Sequence, residues 1–470
     1  LHPRVRRQRQ MCIRDRYIPQ CKALERFELA AMMQIANVAA ILPVVTSYGP
    51  AQYSCVLEGS DTYYYDSEET IYKRLFQDLK EAVEWLKDFR DSSPSQDLLD
   101  DFKRADKVCD GDIDKWIKFA NTLRLRIAMQ LVKVYPDSQK EAEDAVRDGV
   151  LTNSDSDVVL KSGLMLFRIE DLWNDTRANA NIISILQGYS DPRLERWFAT
   201  NNADIYSTDD ELSPVVEKAT KYLGVRQGVP MTRTEYQGYS KTSRVGIPEQ
   251  GPRPVLRVAE AYFLRAEGML RNWNMGDGTP ESLYNEGIHS AWASVLGDES
   301  GWAGTYESYI NGFINTEEGG DFDWELFEGG FGSAPYINYR NQEYNYYIEE
   351  NGKQVGINRI SVRWHDEDSP EKKLQRIITQ KWISFFPTLS SVAWTEYRRT
   401  GYPKLIPIPS DLNYSNGAID TELQIRRLPF TQSEYRGNTE EVNKALGLLK
   451  GPDNGCLLYT SPSPRDMRRS

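Results

Sequence analysis

The chain of 470 residues is poor in the side chains that usually do chemistry. It holds 3 His and 5 Cys. One His and two Cys lie in terminal segments that read as foreign to the fold, which leaves His289 and His365, Cys21, Cys55 and Cys109. The two histidines are far apart, and neither has a partner at metal-ligand spacing, so no metal is expected. Three widely spaced cysteines make neither a disulfide framework nor a zinc site. No G-x-S-x-G, H-E-x-x-H, phosphate-binding loop or dinucleotide fingerprint occurs, so no cofactor is expected either. The run Asp110-Gly-Asp-Ile-Asp114 lacks the spacing and terminal Glu of a calcium loop and reads as the cap of a helix. No apolar run approaches the roughly 20 residues of a membrane span. Ala30–Val45 is interrupted by Gln34, Asn37 and Pro43 and reads as a buried helix.

The formal charge of −12 argues against nucleic acid as a partner. The ends dilute that acidity. Residues 1–16 hold six Arg and one Asp, and residues 456–470 three Arg and one Asp. Met11-Cys-Ile-Arg-Asp-Arg16 and Cys456-Leu-Leu-Tyr-Thr-Ser-Pro-Ser-Pro-Arg-Asp466 resemble translated adapter sequence from metagenomic assemblies. Residues 1–16 and 456–470 are therefore set apart from the fold. Residues 17–455 are expected to form one α-helical domain that lacks its native N-terminus.

What the chain has in quantity is helical periodicity and aromatic side chains, with 27 Tyr and 11 Trp. Apolar positions at helical spacing predict helices over Ala23–Ile41, ending before Pro43, and over Glu69–Phe89, capped by Ser67. Others are predicted over Asp114–Tyr135, Gln139–Asp148 and Pro254–Arg271. Thr279 caps a further helix, with Pro280 at its first position. Ile378, Trp382, Phe385 and Phe386 share a helical face that Pro387 ends. A short helix then runs from about Ser390 to Arg399, with Gly401 as its left-handed stop. Helix, turn and helix over about 40 residues is the size of a tetratricopeptide-type repeat. Such a pair cannot bury its face alone and must stack on others. No clean sequence period links the pairs, so the repeats are degenerate. The fold class is mainly α, with long loop excursions over 46–66, 150–253, 299–369 and 404–440 and minor β-hairpins, one near Gly352–Val362.

The loop aromatics are the candidate ligand-binding residues. Tyr63, Tyr64 and Tyr65 form one cluster, and Trp302, Tyr306 and Tyr309 another. The densest, over 322–347, includes Trp324, Tyr336 and Tyr339 and interleaves them with Asn338 and Arg340. Sugar rings present apolar C–H faces that stack on aromatic planes, while their hydroxyls seek amides, carboxylates and guanidinium groups. The alternative is that these rings only pin long loops to the helices.

Several segments together resemble the SusD/RagB family of surface glycan-binding lipoproteins of Bacteroidetes. They are Val45-Thr-Ser-Tyr-Gly-Pro-Ala-Gln-Tyr-Ser54, Trp116-Ile-Lys-Phe-Ala-Asn-Thr-Leu-Arg-Leu-Arg-Ile-Ala-Met129, Ser190-Asp-Pro-Arg-Leu194 and Ala259-Glu-Ala-Tyr-Phe-Leu-Arg-Ala-Glu267 with Tyr284-Asn-Glu-Gly-Ile288. Arg376–Pro387 with Ala393–Leu405, and Arg426-Arg-Leu-Pro-Phe-Thr-Gln-Ser-Glu-Tyr-Arg-Gly-Asn438, complete the set. The resemblance implies four tetratricopeptide-like units and a lipid anchor in the outer membrane, absent from this chain. It implies a SusC-like TonB-dependent transporter as partner, an oligosaccharide as ligand, and no catalysis. It also implies that Trp116, Arg124, Arg126, Trp382, Trp394, Arg398 and Arg399 hold the helical framework, the arginines through internal salt bridges. Two other readings remain. A helical scaffold for a protein partner or non-glycan nutrient would bury the loop aromatics. An all-helical glycoside hydrolase would need two carboxyl groups about 5–10 Å apart in one cleft.

Overall fold

Helices build almost all of the described structure, and they pair. The computed structural model describes residues 17–57, 63–161, 176–200, 222–232, 236, 238–243, 247, 252–311, 332–336, 342–350, 352–415, 419–421, 423–449 and 453. The first elements are α1 (Ile18–Ala23), α2 (Phe27–Tyr48), α3 (Glu68–Asp91), α4 (Gln96–Ala105), α5 (Ile113–Gln130) and α6 (Ser138–Arg147). Next come β1 (Val158–Leu160), α7 (Ala180–Gly188), α8 (Arg193–Trp197), β2 (Arg253–Leu256), α9 (Val258–Leu270), α10 (Pro280–Leu296) and α11 (Ala303–Asn311). The chain continues with β3 (Ile348–Glu350), β4 (Lys353–Val355), α12 (Pro370–Ser384), α13 (Ser390–Thr400), α14 (Gln432–Gly437) and α15 (Thr439–Leu446).

Four pairs organise these elements: α2 with α3, α5 with α6, α9 with α10, and α12 with α13. Each pair leans on the next through α3 and α5, α5 and α9, and α9 and α12; α13 then returns to α2. One apolar core runs through them, from Ile35 and Val38 of α2 to Ile377 and Ile383 of α12. Helix starts follow local chemistry. The Ser67 hydroxyl accepts from the Thr70 N–H, and Asp112 caps α5 through the Lys115 N–H at 2.9 Å. Thr279 and Ser282 form a reciprocal capping box ahead of α10. Close packing of α9 on α10 uses Gly287, where a Cβ would stand 2.7 Å from the Phe263 ring.

Three expectations are corrected. The first helix does not end before Pro43. It breaks earlier, at Leu24–Arg26, where Glu25 has φ +57°, and then runs through Pro43 to Tyr48. An interior proline costs a helix about 3 kcal/mol. Val38, Ile41, Leu42 and Val45, on both sides of it, are buried and supply the offsetting packing. At 22 residues this helix is long and apolar enough to cross a membrane. It lies in the core, where buried Gln34 donates to the Asp78 carbonyl at 2.8 Å. Second, Arg253–Leu256 is a strand and not the start of α9. It pairs antiparallel with β1, nearly one hundred residues earlier in the chain, and α9 begins at Val258, whose N–H donates to Asp157 Oδ1 at 2.9 Å. Third, the hairpin expected near Gly352–Val362 starts earlier and overlaps only the beginning of that span: it covers Ile348–Val355 and pairs Ile348 with Val355.

Candidate functional site

Charged residues of the shared motifs lock the helix pairs together. Trp116 donates to Asp106 Oδ2 at 3.0 Å. Arg124 meets Glu141 at 2.6 Å, joining α5 to α6. Arg126 binds Glu260 of α9 with two hydrogen bonds, at 2.7 and 2.6 Å. Arg399 grips both oxygens of Glu267, each at 2.6 Å, and also Glu396 at 2.5 Å. Lys381 lies 3.3 Å from the same Glu396, and all of these groups are buried. Burial by itself would raise the Glu267 carboxyl; the charge and hydrogen bonds of Arg399, with Arg271 and Lys381, outweigh it and hold Glu267 at about 2. Arg398 donates to the carbonyls of Thr46 and Arg426 at 2.6 and 2.8 Å, tying α13 to α2.

The opposite side of the same helix pair is open. Ser369 caps α12, with Pro370 in its first turn. After Ser384 the chain turns through a cis Phe386–Pro387 bond, and α13 ends at Gly401, at φ +77°, where a side chain would be strained. Ser390, Ala393, Trp394 and Tyr397 fall at i, i+3, i+4 and i+7 and line one wall of a cavity of about 380 Å³. Trp382, Phe385, Phe386 and Pro387 line a second wall. Across from them stand Ala178, Ile182, Phe198 and Leu405. Phe198 and Trp197 pack against Phe386 at tilted angles, with ring centroids 5.1 and 4.9 Å away. One face of Trp394 is covered by the Arg398 guanidinium, 3.8 Å from the ring centroid, and its N–H donates to the Ile425 carbonyl at 3.3 Å. The rest of the ring borders the cavity. Thr176, Arg177, Asn179, Gln227, Thr242 and Gln424 supply polar groups. Thr176, Asn179, Gln227 and Ser390 are exposed and mark the mouth. Among the described residues, no carboxylate lines the cavity.

The family motif therefore divides. Arg124, Arg126, Arg398, Arg399 and Trp116 sit inside the framework. Trp382 and Trp394 are half-buried, and each gives part of its ring to the cavity.

The loop aromatics are spread apart. Trp302 and Tyr306 are 6% and 7% exposed and lie within a closed cluster on α10 and α11. Their rings stand 5.7 and 5.5 Å from Trp292, itself fully buried. The Trp302 N–H donates to the Gly297 carbonyl and the Tyr306 hydroxyl to the Asn285 carbonyl. Tyr336, 7% exposed, packs on Ala180 and Ile406 and exchanges backbone hydrogen bonds with Tyr346. Protein atoms cover most of these three rings, in the α10–α11 cluster for Trp302 and Tyr306 and against Ala180 and Ile406 for Tyr336. Tyr63 is exposed and Tyr64 half-buried. Tyr65 donates its hydroxyl to Glu434 and packs edge-on against Phe430, 5.2 Å away. Trp324, Asn338, Tyr339 and Arg340 lie outside the described residues. The cavity walls were missed by reading the loops alone; the signal was the aromatic face of Trp382 and Phe386 beside that of Trp394 and Tyr397.

Among the described residues, no group of three or more His, Cys, Asp or Glu side chains could hold a metal ion. The family described as SusD-like, Susd and RagB outer membrane lipoprotein, matches residues 13–306 and 331–458. The chain belongs to the SusD-like family. Solved SusD-like structures agree over its length. A chitin-binding SusD homologue from Flavobacterium johnsoniae is 34% identical, with a TM-score of 0.76 over 93% of this chain and 82% of its own. A SusD homologue from Bacteroides uniformis is 30% identical, with a TM-score of 0.71 over 91% and 80%. A SusD-like protein from Bacteroides thetaiotaomicron is 29% identical, with a TM-score of 0.73 over 92% and 81%. No curated protein matches the chain. The mainly helical architecture with minor hairpins is thus that of the SusD-like fold.

Proposed function

We propose that this SusD-like protein binds oligosaccharides at the cell surface and passes them to a SusC-like TonB-dependent transporter, without catalysis. The observation that carries this reading is the cavity, where aromatic walls meet a polar mouth at the size of a small saccharide. Pyranose C–H faces would lie on Trp382, Phe386, Trp394 and Tyr397, and hydroxyls would meet Asn179, Gln227 and Gln424. The chitin-binding relative at 34% identity supports a glycan as the ligand class. Glycoside hydrolysis needs two carboxyl groups flanking the scissile bond, and among the described residues none lines this cavity. The family's character as outer membrane lipoproteins supports a place for the protein at the outer membrane.

Calorimetric titration with a panel of soluble oligosaccharides tests the reading. Saturable heat with at least one glycan, and no released product on incubation, is the expected result. Turnover of a glycan, or no binding across a broad panel, would overturn it. Co-purification with a transporter encoded beside it tests the delivery step.

A further inference from the structure

We infer that Arg398 is a positioning residue of the cavity: its guanidinium backs one face of Trp394, so that the surface turned to the cavity stands ready for a sugar ring. This rests on the glycan-binding reading above and adds a residue that acts through another. Three observations carry it.

The first is contact. Arg398 follows Trp394 by four residues on α13, so the two side chains meet on one helix face. The guanidinium lies 3.8 Å from the ring centroid, a van der Waals distance. A cation over an indole face is attracted by its π electrons, and more strongly away from water. Arg398 is buried, and burial with the neighbouring Arg426 charge pulls its guanidinium down to about 10, so it is still a cation at neutral pH.

The second is that the cation is itself held. Its Nη1 donates to the Arg426 carbonyl at 2.8 Å. Its Nη2 donates to the Thr46 carbonyl at 2.6 Å and to Thr395 Oγ1 at 3.1 Å. These acceptors lie on three stretches of chain: α2, α13 and the segment around residue 426. A planar fork held at both tips makes a rigid backing, which a lysine ammonium on a flexible stem does not.

The third is where ring and cation are tied. The Ile425 carbonyl accepts from the Trp394 N–H, and the next carbonyl along, that of Arg426, accepts from Arg398. The residue before them, Gln424, lines the cavity. Gln424 has φ +57°, a state uncommon for a side chain larger than glycine, and its N–H donates to the Asp420 carbonyl at 2.8 Å. Such outliers gather where a side chain is placed for a ligand. Three consecutive residues thus fix the ring, its backing and a polar lining group. The indole N–H and one face are committed inside the protein, so Trp394 has stacking to offer a ligand. A ring placed before the ligand arrives spares the cost of ordering a side chain on binding.

The test is a double-mutant cycle read by calorimetry. The probe is the tightest binder among soluble oligosaccharides that include β-1,4-linked trimers of glucose and of N-acetylglucosamine and the α-1,4-linked glucose trimer. Arg398→Lys and Arg398→Met, measured well below their Tm and with unaltered circular dichroism, should each bind it about fivefold more weakly, the factor set by leaving one side chain to be ordered on binding. Should one of them fail to fold, the other carries the cycle. In a Trp394→Ala background the same changes should shift affinity by less than about twofold, because the group through which Arg398 acts is gone. A structural tie between α13 and α2 alone would lower Tm and leave both affinities as they were. Parental affinity in the folded Arg398 variants overturns the inference while glycan binding stands. A full fivefold loss in the Trp394→Ala background overturns it too, since Arg398 would then act by another route. Silence of the parent protein across all the oligosaccharides overturns the functional reading and this inference with it.

Discussion

The helix pair α12–α13 has two faces built by opposite rules. Inward, Lys381, Glu396 and Arg399 surround Glu267 of α9, and every charge has an opposite charge within 3.3 Å. Outward, Trp382, Phe386, Trp394 and Tyr397 stand half-buried around open space. Trp394 and Tyr397 stand three positions apart on one face, and Glu396 and Arg399 three apart on the other. One eleven-residue helix thus contributes both to a fully buried ion cluster and to the wall of the cavity. A signature shared by a family need not be wholly scaffold or wholly site.

The contrast can be broken from the inward face first. Glu267→Ala leaves Arg399 and Lys381 short of a carboxylate in the interior, and should cost about 3–5 kcal/mol. Chemical denaturation measures this loss; a loss under 1 kcal/mol would mean the cluster relaxes into solvent. The acid limb sharpens the same point. Because the folded carboxyl sits near 2, below its ordinary 4.5, its contribution is present above about pH 4.5 and fades as pH falls toward 2. The alanine variant should show a shallower decline there.

Trp302→Ala comes next. It opens a void in the closed aromatic cluster and should cost about 3 kcal/mol of stability. Glycan affinity of the folded protein should stay unchanged; a selective loss of binding would return Trp302 to the ligand site. Trp394→Ala on the outward face should do the reverse. Its affinity for a bound oligosaccharide should drop about tenfold, roughly 1.4 kcal/mol, while Tm shifts little. Unaltered binding in this variant would remove the cavity from the functional site.

The smallest effect belongs to Glu68, near Arg398 and Arg427 at the start of α3. Burial raises its carboxyl to about 7 against the pull of both arginines. A raised folded value gives stability that is full below about pH 4.5 and lost as pH rises through about 7. Glu68→Gln should flatten the dependence of Tm on pH between about 5 and 8. An identical profile in both proteins would mean Glu68 titrates like a free side chain.

How legible all this was depends on range along the chain. Caps are local, so Ser67, Thr279 and Gly401 announced helix ends correctly. Pro43 misled because its local cost is real while the packing that offsets it comes from α3 and α13. Strand β2 was hidden because its partner, Val158–Leu160, is remote in sequence. Trp302, Tyr306 and Tyr309 carried a readable warning: i, i+4 and i+7 is a helical face, and α11 turns that face onto Trp292. The cavity was the least legible part. Its walls come from residues near 180, 198, 227, 242, 390, 405 and 424, and no window on the sequence holds them together.

The two glutamates of α9 are both fully buried. Glu260 and Glu267 are seven residues apart, two helical turns, and each is claimed by an arginine more than 130 positions away, Arg126 before it and Arg399 after it. Helical repeats ordinarily behave as a row of tiles, in which each stands or falls with its neighbours and end tiles can be removed. Here the first and last pairs also touch, through Arg398 and the Thr46 carbonyl. The array is closed into a ring with α9 as its axle. Such a ring has no dispensable end: unfolding should be a single concerted event, and deletion of the last helix pair should cost the whole fold and not one unit of it.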